Sequence, residues 1–113
     1  MNGYKDTLRR FAVRDDRYID SLLRADEDEA LLAGMDARSH ALARIGALIA
    51  LDAAPPAFMA SVEDALHAGV SAEEIVGTLI AVLPIVGVPR VVSAASNLGL
   101  ALGYDVANAL EVT

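Results

Sequence analysis

Few side chains in this 113-residue sequence are able to do chemistry, and they are widely spaced. The stretch PPAFMAS, Pro55 to Ser61, opens a helix behind a double proline, and Ser61 is its one hydroxyl. A serine nucleophile needs a base in hydrogen-bond reach, and none is adjacent in sequence. His40 and His67 fall on different predicted helices with no inward carboxylate at ligand spacing, so no metal is expected. His67 and Glu63, four residues apart, read as an exposed helix pair worth a few tenths of a kcal/mol. The chain has no cysteine, which rules out disulfides, thiolate metal sites and a thiol redox cycle within it. Gly87 and Gly99 lack the strand and spacing of a phosphate-binding loop, and no cofactor is expected. What remains is Arg44, with His40 one turn away, Ser61, and a polar stripe of Arg90, Ser93, Ser96 and Asn97.

Arg44 stands out because of the helix that must carry it. From Ala37 to Leu51 the residues are apolar nearly all the way round at 100° per residue. Leu42, Ile45, Leu48 and Ile49 form a broad face, and Ala43, Gly46, Ala47 and Ala50 form a second face of small residues. Such a helix is expected to be buried, with His40 and Arg44 on one edge. A guanidinium in an apolar setting must find an anion. Three are open: a carboxylate of its own subunit, one of a neighbouring subunit such as Glu63 or Asp64, or an acidic small molecule.

The other elements follow from punctuation. Leu8, Phe11, Tyr18, Ile19, Leu22 and Leu23 predict two short amphipathic helices, each with one face docked, separated by Arg14-Asp15-Asp16-Arg17. Asp26 to Glu29 reads as a solvated acidic run, Gly34 as the end of the N-terminal region, and Asp36 as the N-cap of the Ala37 helix. Pro55 and Pro56 end that helix and start the next, whose inward stripe is Phe58, Met59, Val62, Ala65 and Leu66. Gly69 supplies a left-handed exit and Ser71 to Glu74 a capping box. The following helix, Ala72 to about Leu83, is expected to bury Ile75, Val76, Leu79, Ile80 and Val82 before a break at Pro84, Gly87 and Pro89. The last helix, from Pro89 or Arg90 to Leu102, carries the polar stripe, which is either a solvent face or the wet wall of a pocket. Gly99 and Gly103 stand at a close-packing spacing, and a short tail from Tyr104 is expected to dock on the body.

The prediction is thus one all-α domain, a compact bundle of about six helices, with N-terminal helices over 1–34 and the core over 35–103. Hydrophobic residues make up 55%, or about 59% with tyrosine dropped and glycine added, against a usual 45–50%. A chain this small buries only roughly 65% of its unfolded surface, so the surplus points to a homo-oligomer; harmless surface alanine is the other account of it. The formal charge of −7 argues against nucleic acid or an anionic membrane as partner. MNGYKDTLRRFAVRDD lacks the apolar core of a signal peptide, and the most apolar window, Leu79 to Pro89, is far short of a membrane span. A cytoplasmic protein is expected.

The run MDARSHALARIGALIALDA, followed by ALHAGVSAEEIVGTLIAVLPIVGVPRVVSA, resembles the carboxymuconolactone decarboxylase family, which includes the alkylhydroperoxidase D-like proteins. The resemblance covers about Met35 to Leu102, and its most specific piece is AGVSAEEIVGTLI with the Pro and Gly break after it. It implies an all-α fold assembled as a trimer or hexamer. Counted back from Ala68-Gly69, the peroxidase branch's two cysteines would fall at Ala54 and Ala57, its histidine at Ser61 and its glutamate near Ala41. None is retained, and a thiol peroxidase needs its thiolate. Of the lactone decarboxylase branch's Arg, His, Glu, Arg and His around the same break, essentially only a proline, Pro55, is matched, with Pro56, Ala57, Met59 and Ser61 in the other places. Two readings follow. One is a noncatalytic or ligand-binding member whose former cleft is lined by Ala57, Phe58, Ser61 and Arg44 and takes a small apolar acid, or which serves only in assembly. The other is a divergent decarboxylase in which Arg44 holds a carboxylate and His40 or Ser61 handles a proton.

Overall fold

The computed structural model describes residues 3–25, 34–106 and 108, so the acidic run Asp26 to Glu29 lies outside the described residues. Six helices and no strand occur among the described residues. The chain divides into two units, Met1–Gly34 and Met35–Thr113.

The first unit holds α1 (Tyr4–Ala12) and α2 (Asp16–Arg24), and neither helix has a buried residue. Charge and ring contacts order them. Asp6 accepts from Arg9 at 2.7 Å and from Arg10 at 2.9 Å. Phe11 and Tyr18 meet edge to face at 5.5 Å between ring centroids, and the Arg10 guanidinium lies 5.1 Å from the Tyr18 ring centre. Asp15 caps α2 by accepting from the Tyr18 N–H at 3.1 Å, the role its short carboxylate favours.

The second unit packs four helices, α3 (Ala37–Leu51), α4 (Pro55–His67), α5 (Ala72–Val86) and α6 (Val88–Ala101), around one core. Each start and stop has a local cause. Asp36 caps α3, taking the Ser39 N–H at 2.8 Å. Prolines occupy the first turn of α4, where a missing N–H costs nothing. Ser71 and Glu74 close the capping box of α5, at 3.1 and 2.9 Å. Three helices end on a left-handed residue with the paired backbone bonds of a Schellman closure. These residues are Asp52 after α3, Gly69 after α4 and Gly103 after α6. At α6 the Tyr104 N–H returns to the Gly99 carbonyl at 2.7 Å. A Cβ on Gly99 would stand 2.7 Å from the Tyr104 oxygen, so only glycine lets the chain fold back so tightly. That fold-back, rather than helix-to-helix packing, is what the Gly99 and Gly103 spacing serves.

The core is Ala41, Ile45, Ile49, Phe58, Val62, Ala65, Val70, Ile75, Ala94 and Leu98. Several expected core positions lie outside it. Met59 is 53% exposed, Leu66 and Val76 are also exposed, and Ile80 is 74% exposed. Helices apolar on more than one side do not declare which side turns inward, and here α5 turns Ile75, Leu79, Val82 and Val86 to the core. The same holds for α3, which buries one face only. Of its small residues, Gly46 lies against Val82 and Thr78 of α5 with room for a Cβ, whereas Ala43 and Ala47 are exposed. The break after α5 also comes later than Leu83. Pro84 lies inside the helix and Gly87 alone separates α5 from α6. Proline cannot donate to the carbonyl four residues back, that of Ile80, but Ile80 is solvent-facing, so water can take its place.

Candidate functional site

The five candidate residues sit on two helices that pack together, α3 and α4. His40 and Arg44 lie one turn apart along α3, next to the buried face of Ala41, Ile45 and Ile49. His40 is half-buried and Arg44 exposed, and Arg44 is not without a partner. The apolar setting expected for Arg44 is therefore not a buried one within a single chain, because the edge of α3 that carries it faces outward. On α4, Ala57 and Ser61 are one turn apart and half-buried. Phe58 is fully enclosed in the core, so it belongs to packing and does not line a cleft. Its place on the inward stripe with Val62 and Ala65 is the reason. No polar or charged side chain is buried among the described residues, and no group of three or more His, Asp or Glu gathers there.

His67 meets Glu63 differently from the side-chain pair expected. Its Nδ1 lies 3.0 Å from the Glu63 backbone carbonyl, which accepts from the ring and leaves the carboxylate out of the contact. An open recess beside α2, lined by Asp16, Arg17, Ile19, Asp20 and Leu23, includes none of the five candidates.

Two polar ties of the second unit join residues that the sequence pattern does not pair. Arg38, at the start of α3, donates to the Gly69 carbonyl and to the Glu74 carboxylate, linking α3 to the α4–α5 turn. The sequence holds one hint. A capping box occupies one oxygen of Glu74, and the other is left for a cation. At the far end of α3, Arg90 Nε donates to the Ala50 carbonyl at 2.7 Å and Ser93 Oγ to Asp52 at 2.8 Å. The polar stripe on α6 is mainly a solvent face, with Arg90, Ser93 and Ser96 exposed and Asn97 half-buried, and half of it has a second role. It satisfies the C-terminus of α3, where a positive charge is favoured.

The contacts of Glu74 and Asp36 should make stability acid-sensitive. The Ser71 backbone N–H, then its hydroxyl and Arg38, hold the Glu74 carboxyl below its ordinary value of 4.5. The Ser39 backbone N–H and hydroxyl do the same for Asp36. A carboxyl with a depressed folded pKa contributes stability above its unfolded pKa and loses it as pH falls through the folded one. The denaturation midpoint should hold between about pH 7 and 5 and fall below that. Glu74→Gln should flatten part of the fall, and an unchanged acid slope in that variant would remove Glu74 from the account.

No protein-family model matches the chain, and neither a curated protein nor a solved structure matches it significantly. Among the described residues, no helix is long and apolar enough to cross a membrane.

Proposed function

We propose that the chain is a homo-oligomeric helical module of the carboxymuconolactone decarboxylase-like kind, without thiol peroxidase activity, that binds a small molecule or serves in assembly. The observation that carries the oligomer is apolar surface on the second unit, where Leu51, Ile80, Ile85, Val88 and Val92 are each more than 60% exposed. A trimer or hexamer accounts for such surface by covering it. The absence of cysteine from these 113 residues leaves no thiolate for peroxide chemistry.

A second reading, a divergent decarboxylase-type lyase, rests on a different observation. Half-buried His40 and exposed Arg44 lie one turn apart on an edge of α3, where a carboxylate bound to Arg44 would come within reach of the imidazole. Thermal-shift screening of small carboxylic acids and lactones against the wild type and Arg44→Ala tests both readings. A ligand at 100-fold its dissociation constant should stabilise the wild type by roughly 2.7 kcal/mol and leave Arg44→Ala unmoved. Turnover of such a ligand would favour the lyase. An equal shift in both proteins would remove Arg44 from the site.

A further inference from the structure

Beyond its first turn, the one polar side chain of α5 is that of Thr78, which is half-buried and donates to the Glu74 carbonyl at 3.1 Å. The exposed residues of α5 after Glu74 are Val76, Ile80, Ala81, Leu83, Pro84 and Ile85. Ile80 is 74% and Ile85 84% exposed, values at which neither contributes to the protomer's own core. A surface helix of a self-sufficient monomer carries polar residues on its outer face. Here the helix has two apolar sides, one used within the chain and one left over.

The charge pattern points to what covers the second side. With 16 acidic and 9 basic residues the chain carries −7, so two copies repel one another at most approaches. From Ile75 to Tyr104 the sequence contains a single charge, Arg90, and its guanidinium is turned back onto the Ala50 carbonyl. The outer face of α5 is therefore a place where two such copies can meet without setting carboxylate against carboxylate.

We infer that the outward face of α5, centred on Ile80, is the contact through which a second copy of this chain binds. The inference rests on the oligomeric reading above and names its face. The size is adequate. A stable contact buries about 800 Å² per partner, and its core is about 65% apolar. The exposed aliphatic side chains of α5, with Val88 next along the chain at 63% exposure, offer apolar surface on the order of 400–600 Å², comparable with the roughly 500 Å² apolar share of such a contact. The exposed side chains carry no donor or acceptor for docking to bury, and the one backbone group at issue is the Ile80 carbonyl freed by Pro84, which must keep a water or meet a partner donor. A bilayer is a poorer occupant, because the face is short and the −7 chain is repelled by anionic lipid.

Light scattering on size-separated full-length protein tests the assignment, with Ile80→Glu and Ile85→Glu as variants. Both positions are largely exposed, so the variants should keep the helical circular dichroism of the wild type. The wild type should be oligomeric at micromolar concentration. Each variant should shift to a smaller species, with the apparent dissociation constant raised at least tenfold. A wild-type oligomer that both variants preserve would overturn the α5 face and leave the oligomeric reading standing. A monomeric wild type would overturn both, and flotation of that monomer with phosphatidylcholine vesicles would assign the face to a bilayer instead.

Discussion

Phe58→Ala should lower the stability of the second unit by about 3–5 kcal/mol, the cost of deleting an aromatic ring from a core that cannot collapse around the void. Phe58 is the largest of the fully buried side chains, and its neighbours in the cluster come from all four helices, with Ile45 and Ile49 on α3, Val62 on α4, Ile75 on α5 and Ala94 and Leu98 on α6. No single helix can shift to fill the space without opening another contact. In a unit of this size each kcal/mol moves the melting temperature by roughly 4–8 °C, so a drop of at least about 12 °C is expected by circular dichroism. Protein concentration must be matched, because association with other copies raises apparent stability. A loss under about 1 kcal/mol would mean that Phe58 is not central to the packing. The same experiment bears on function, since a residue that lines a cleft would affect ligand response and leave stability nearly unchanged.

Gly87→Ala should cost about 1–3 kcal/mol for a wholly different reason. Gly87 has φ 90° and ψ 162°, a region that only glycine occupies readily. It ends α5 and begins α6 at once, its N–H bonded to the Leu83 carbonyl and its own carbonyl taking the Val91 N–H. Space is not the difficulty. An added Cβ would have Pro89 Cδ as its nearest neighbour at 3.9 Å, ordinary van der Waals contact, so the whole cost is backbone conformation. Gly77 provides the opposite case on the same helix. It is helical and a Cβ there meets nothing within 4 Å, so Gly77→Ala should stabilise by about 0.5–1 kcal/mol. Denaturant midpoints of the two variants should move in opposite directions. Equal and small shifts would show that α5 and α6 can be joined in another way.

What sequence alone discloses here is local. Asp36, Ser71 with Glu74, Gly69 and the double proline act on backbone groups a few residues away, so their spacing suffices to place the helix ends. Two kinds of information are not local. The first is orientation. Val76 and Ile80 are as apolar as Leu79 and Val82, and a helix with apolar residues on most of its surface has no periodicity that selects an inner side. The second is long-range polar pairing. Arg38 finds partners 31 and 36 residues away, and Arg90 and Ser93 find theirs 40 and 41 residues away. The candidate site shares both difficulties. His40 and Arg44 were legible as polar residues on an apolar helix, but which side of that helix faces outward is decided by packing. Phe58 was legible as inward-facing from its stripe, and that periodicity outweighs its proximity to the proline break.

The ties at the two ends of α3 also impose an order on assembly. The α3–α4 hairpin joins neighbours in sequence, and closing a short loop loses little chain entropy. The Arg38 tie needs only the turn at Gly69 and the first turn of α5. The C-terminus of α3 waits for residues some forty positions further on, because the Ala50 carbonyl and Asp52 are met by Arg90 and Ser93. During synthesis at roughly 5–20 residues per second, this leaves about 1–3 seconds in which three helices of the second unit have been made and their apolar sides lack the fourth. The last helix, the one with the sparsest charge, acts as the latch that ends that exposure.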